Sequence, residues 1–190
     1  MPVATKRRRK AQKDKISVHG FFRIQVTEGD PSQPETIKVV GDSGVDANGE
    51  LINGDGWLPN RVTQTGFLQY LCYTLAGSAG SKTVSHMLVG TGGEPASNDT
   101  ALSGEITHAT NSRKTVAPTF ATTSAGYLVS FAAAFNSADS FLTASANLSN
   151  VALVNTLTTN VGTIFAGNTY VSSTVATNNN LAVTYVVKFL

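Results

Sequence analysis

The chain holds a single cysteine, Cys72, in 190 residues. An internal disulfide is therefore excluded, and this cysteine usage suits assembly in a reducing cytoplasm. No run approaches the ~20 uninterrupted apolar residues that a membrane-spanning helix requires, so no membrane partner is expected. No apolar leader core follows Met1-Pro2-Val3-Ala4-Thr5, which runs straight into basic residues, so export is not expected either. Charge is scarce as well. Asp, Glu, Lys and Arg make up 14% of the chain, against about a quarter in ordinary soluble domains. From Val116 to Leu190 the charges are Asp139 and Lys188 alone. A stretch so poor in charge, and rich in Thr, Ser, Asn, Ala and Gly, suits contact with other proteins. A neutral, well-hydrated polar surface is the alternative.

What is present divides into two parts. Residues 1–15 form a basic arm with Lys6, Arg7, Arg8, Arg9, Lys10, Lys13 and Lys15 against Asp14, a net +6. The other residues carry a net −4, so the overall +2 conceals a strong asymmetry. Such an arm can dock into an acidic groove on another subunit, contact nucleic acid through its phosphates, or hang free in solvent. Residues 16–190 read as one domain, long enough and apolar enough (41%) to bury a core.

Period-two alternation dominates that domain. Ile16, Val18, Phe22, Ile24 and Val26 share one face of an opening strand, and Thr36–Val40 reads as its return. Tyr127, Val129, Phe131, Ala133 and Phe135 alternate with a second set, Leu128, Ser130, Ala132 and Ala134 in this case. So do Leu181, Val183, Tyr185, Val187 and Phe189. Val84–Val89, Leu148–Val154, Thr163–Ala166 and Tyr170–Val175 are further strand candidates, separated by Asn, Gly and Ser turns. One helix is expected at about 62–76. Phe67, Leu68, Leu71, Cys72 and Leu75 fall at helical spacing, Asn60, Thr63 or Thr65 can supply the N-cap, and Gly77 stands where a C-cap belongs. Asn98-Asp99 is placed to cap a single turn through Leu102. The expected fold is mainly β: an antiparallel, jelly-roll-like β-sandwich with one short α-helix and a basic N-terminal arm.

Three near-motifs fail on chemical grounds. Gly41-Asp42-Ser43-Gly44 resembles the loop around a serine nucleophile, but His19 is the sole histidine upstream and its strand position faces solvent. Gly77-Ser78-Ala79-Gly80-Ser81-Lys82-Thr83 resembles a phosphate loop. Ser81 separates the last glycine from the lysine, and the order is helix then strand rather than the reverse. Asp46, Asn48 and Asp55 sit at the third, fifth and twelfth places of a calcium loop whose first acid is replaced by Gly44. His86 and His108 lack the neighbours of a zinc site. Neither a catalytic residue, a metal site nor a cofactor is expected. Two Asn-X-Ser/Thr sequons, at Asn98 and Asn147, read as chance in a chain without an export leader.

Several segments together resemble tailed-bacteriophage virion proteins. They are Val40-Gly41-Asp42-Ser43-Gly44; Gly56-Trp57-Leu58-Pro59-Asn60-Arg61-Val62-Thr63 with Gly66; and Val89-Gly90-Thr91-Gly92 followed by Asn98-Asp99-Thr100-Ala101-Leu102 and Glu105. Leu148–Leu153 and Leu181–Tyr185 resemble the closing strands of such proteins, so the likeness spans about residues 38–190. The resemblance implies a β-rich component of capsid decoration, head fibre, neck or tail. Such a protein would be assembled in the host cytoplasm, located in the virion, and associated with copies of itself and other virion proteins. Two other readings stand beside it: a shell-forming capsid protein of a small icosahedral virus with a genome-binding arm, and a module that binds a receptor or glycan.

Overall fold

A computed structural model describes residues 18–28, 37–41, 58–107, 112–124 and 126–189. The basic arm (1–15), the serine-like and calcium-like patterns beyond Gly41, and His108 lie outside the described residues.

Ten described strands form two antiparallel sheets packed face to face, a β-sandwich. In the first sheet, β1 (Val18–Glu28) pairs along its whole length with β10 (Asn179–Phe189). The first and last strands are therefore neighbours. β10 pairs in turn with β7 (Gly126–Phe135), and β7 with β6 (Pro118–Thr123), which ends the sheet. On its other side β1 carries β2 (Ile37–Gly41) and β3 (Leu58–Val62) end to end, with a bulge at Ile24/Gln25. β3 is the corner of the sandwich. Its first residues pair with β1, while Arg61 and Val62 pair with β9 (Ile164–Val175) of the second sheet. That sheet continues through β8 (Ala146–Val154) and β4 (His86–Gly90) to β5 (Arg113–Thr115).

Alternation decides what lies between the sheets, because side chains on a strand point to opposite faces with period two. Phe22, Ile24, Phe131, Phe135, Leu181, Val183, Tyr185 and Val187 project from the first sheet. Met87, Val89, Leu148, Val151, Leu153, Phe165 and Tyr170 come from the second. Phe22 stacks on its cross-strand partner Tyr185 at 6.4 Å and meets Tyr170 of the other sheet edge-on at 6.1 Å. Each such side chain contributes roughly 1.5–3 kcal/mol on leaving water.

The second sheet is buried on its outer face too. Leu88, Ala152, Val154 and Ile164 point away from the sandwich and are covered by Leu102. Leu102 belongs to the connection between β4 and β5, so this loop folds back over the sheet. Asn150 ties it down by donating to the carbonyls of Gly93 (3.0 Å) and Ser103 (2.9 Å), and Ser149 Oγ donates to Gly92 at 2.9 Å. The loop lies so close that a Cβ on Gly167 would stand 2.9 Å from the Pro95 ring. Asp99 closes a turn of this loop by accepting from the Ala96 N–H at 2.7 Å. It reaches backward, so the expected capped turn forward to Leu102 is not what forms.

The helix, labelled α1, runs through Gln64–Gly66, a π-helical stretch Phe67–Cys72 and Tyr73–Leu75. Thr63 caps its N-terminus, its hydroxyl accepting from Gly66 N at 2.8 Å and donating to Ile164 O at 2.7 Å. Gly77, at φ +60°, closes the C-terminus, with its N–H on Thr74 O and that of Ser78 on Tyr73 O. Of the apolar residues at helical spacing, Leu71 packs half-buried against the core, while Phe67, Leu68, Cys72 and Leu75 are exposed. Gly66 and Tyr70 are the fully buried positions. The cause is steric: the helix docks on β9 by its glycine, and a Cβ there would lie 2.1 Å from Phe165 O.

Candidate interaction surface

Where the first sheet ends at β6, the sandwich is not closed, because α1 lies across only part of the gap. The result is an apolar cleft of about 290 Å³. Tyr70, Leu71 and Thr74 form its helical wall, and Lys82, Thr83 and Val84 its rim. Pro118, Phe120, Val129, Phe131, Val187 and Phe189 form its sheet floor, with Phe165 at the back. Lys82 is the one charged side chain in that lining.

Local chemistry fixes the helical wall. Tyr70 donates its hydroxyl to the carbonyl of Thr163 and packs on Phe165 with ring centroids 5.2 Å apart. Burial pushes its hydroxyl well above the ordinary tyrosine range, so it is a neutral hydrogen-bond donor at any physiological pH. Widening to a π turn lets Lys82 N–H donate to the Gln69 carbonyl at 3.0 Å, which anchors the chain leaving the helix.

Around the cleft the surface is apolar. Leu75 is 91% exposed, Phe120 76% and Tyr127 66%, and Phe67 and Leu68 are nearly half exposed. Large apolar side chains scattered singly on a surface are ordinary; several on one helix and one hairpin beside an apolar cleft are characteristic of a contact.

The ion pairs among the described residues lie elsewhere. Arg113 and Glu105 form a buried, bidentate ion pair on the outer face of the second sheet: Nε to Oε1 at 2.6 Å and Nη2 to Oε2 at 2.8 Å. Arg113 Nη1 also donates to the carbonyls of Thr156 and Val161, both at 2.9 Å, and Asn160 N–H donates to Glu105 Oε2 at 3.2 Å. The pair clamps together the covering loop, β5 and the turn between β8 and β9. Sequence reasoning gave this pair no role, because neither residue stands out among the charges that precede Val116. Lys114 pairs with Asp139 at 2.7 Å.

The near-motif residues that are described remain apart. His19 is exposed on β1, as its strand position implies. The Gly77–Thr83 segment links a helix to a strand, the wrong order for a phosphate loop. His86 Nδ1 lies 2.7 Å from Ser85 Oγ, and Nε2 lies 3.4 Å from Thr115 Oγ1. Burial, with the nearby Arg113 charge, lowers its pKa. No carboxylate orients that ring in the manner of a catalytic triad among the contacts described. Among the described residues no group of three or more His, Cys, Asp or Glu side chains is placed to hold a metal ion. Among them, too, no helix is long and apolar enough to cross a membrane.

No protein-family model, curated protein or solved structure matches the chain. The β-sandwich and its open cleft therefore stand on their own physical features.

Proposed function

We propose that the chain is a non-enzymatic structural component of a bacteriophage virion, assembling with itself and with capsid or tail proteins. The observation that carries this reading is the exposed apolar surface of α1 and the β6–β7 hairpin around the open cleft. Its hairpin belongs to the 75-residue stretch from Val116 to Leu190 that carries two charges. A surface of this kind loses free energy when covered, at roughly 25 cal/mol per Å² of apolar area. The phage context comes from the resemblance in Val89–Glu105 and the closing strands. The basic arm, Lys6 to Lys15, supplies an anchor of opposite character, suited to an acidic groove on a neighbouring virion protein.

The test is to band phage particles by density gradient, identify the chain by peptide mass spectrometry and place it by electron cryo-microscopy. The expected result is a fixed stoichiometry in the particle, with the cleft face against protein. A chain abundant in the lysate but missing from intact particles refutes the proposal. Arms found against packaged genome in a shell made of this chain would replace it with the small-icosahedral reading.

A further inference from the structure

The two ends of the strand order are treated differently. At one end β5 has three residues, Arg113-Lys114-Thr115, so that edge is short, and its two charged side chains are held in ion pairs with Glu105 and Asp139. Shortness is a standard protection against edge-to-edge pairing. At the other end β6 has six residues, Pro118-Thr119-Phe120-Ala121-Thr122-Thr123, none of them charged. Its partner β7 is uncharged as well. No described strand pairs with the outer side of β6, and its side chains are exposed except for Thr123, which is half-buried. Pro118 stands at the first position, where it interrupts no ladder beyond itself. Four of the remaining five residues are β-formers, three threonines and a phenylalanine.

An open edge presents unpaired backbone N–H and C=O groups in a row, and what satisfies such a row is another strand. We propose that the occupant is β6 of a second copy of this chain, the two strands running antiparallel about a two-fold axis. The inference rests on the assembly reading in taking this face as a contact, and goes beyond it by naming the partner and the strand. A two-fold axis sets a strand against itself, so any charge on β6 would face a like charge nearby; the absence of charge removes that penalty. The axis also keeps the inner faces of the two sheets on one side. The partner's Phe120 then lies beside Phe120, which already lines the apolar cleft, and the outer lip of both clefts is covered together.

Sedimentation equilibrium of the full chain tests this first, with a mass twice that of one chain expected at micromolar concentration. Phe120→Lys adds a charge at a position already 76% exposed. It is expected to weaken dimerisation at least 100-fold while leaving the circular dichroism spectrum unchanged, and the melting temperature unchanged when both proteins are melted at concentrations where the parent is monomeric. A second variant leaves the edge intact. In a Cys72→Ser background, Ala121→Cys is expected to give a covalent dimer with a short bis-maleimide, and Asn178→Cys, in the exposed turn between β9 and β10, is not. A monomer at every concentration overturns the proposal. So does an oligomer that is indifferent to Phe120→Lys and cross-links no better at position 121 than at 178; that result would leave the virion reading standing. A β6 dimer whose chain is absent from purified particles would sink the virion reading and leave this one intact.

Discussion

Replacing Glu105 by Gln keeps the shape of the clamp and removes its negative charge. Arg113 would remain buried, with 1% of its side chain exposed, facing an amide that still accepts through its oxygen but turns an NH2 toward a guanidinium nitrogen. Removing one partner of a buried ion pair costs about 3–5 kcal/mol. Because Arg113 keeps the Thr156 and Val161 carbonyls, the low end, about 3 kcal/mol, is expected. For a chain of this size about 1 kcal/mol moves the melting temperature by about 2–4 °C, so a fall of roughly 6–12 °C follows. Arg113→Met costs more. It leaves the Glu105 carboxylate with the Asn160 N–H and strips a donor from two carbonyls, each worth about 1–3 kcal/mol when left bare. The double variant Glu105→Gln/Arg113→Met recovers part of the loss but not all, since those carbonyls stay bare. Urea unfolding followed by far-ultraviolet circular dichroism measures all four proteins, and hydrogen exchange over residues 91–107 reports where the structure opens. The reasoning fails if Glu105→Gln lies within about 1 kcal/mol of the parent. It fails equally if the two single changes add within about 0.5 kcal/mol, as independent sites do.

Gly66→Ala should destabilise by about 1–3 kcal/mol despite alanine's better helix propensity, because the methyl group would overlap Phe165 O; thermal melts check this. Leu75→Ser should leave the melting temperature unchanged, since that side chain is 91% exposed, yet reduce incorporation into particles in a pull-down or co-assembly assay. Burial lowers the His86 pKa, so below about pH 6.5 the unfolded chain binds the extra proton and the folded chain resists it. Stability should therefore fall modestly with falling pH through that range, and His86→Asn should flatten the slope in urea titrations. Deleting residues 1–15 should leave a domain that melts like the full chain but no longer enters particles; incorporation at full occupancy would refute the docking role of the arm.

The parts of the fold that were legible in the sequence are those where one face of a strand is core and the other is not. The inward faces of β1, β7 and β10 were read on this basis, and Phe22, Phe131 and Tyr185 are buried as the alternation implies. Thr63 and Gly77 were also legible, because capping depends on local backbone chemistry. β9 was read as two strands, since Gly167-Asn168 looks like a turn; the glycine is there because Pro95 and the β8 backbone press on it. β3, β5 and β6 went unassigned. β3 contains Pro59 and serves two sheets, β5 has three residues, and β6 offers one apolar side chain between threonines and alanine. Val186, Lys188 and Leu128 are buried on the outward face, so β7 and β10 are not simple two-sided strands. The cleft depended on how α1 docks. Apolar spacing pointed to Phe67, Leu68, Leu71, Cys72 and Leu75, of which only Leu71 packs on the core, and a glycine contact with no hydrophobic signature put Tyr70 inward.

The Val89–Glu105 segment carries the resemblance and also decides which surfaces remain open. Gly90, Gly92 and Gly104 allow the loop to lie against its own return, where added Cβ atoms would meet backbone at 2.8 Å or less. Leu102 and Pro95 then cover the outer face of the second sheet, and Glu105 locks the cover to Arg113. That face is thereby removed from contact with other molecules. The β5 edge is guarded by its shortness, and Lys114 is tied to Asp139. Surface that is both apolar and uncharged is left around α1 and the β6–β7 hairpin. A lone soluble domain would gain by scattering charge over such a patch, whereas this chain's one described ion pair of full burial holds the covering loop on the outer face of the second sheet. That allocation is what the proposed contact at the β6 end requires.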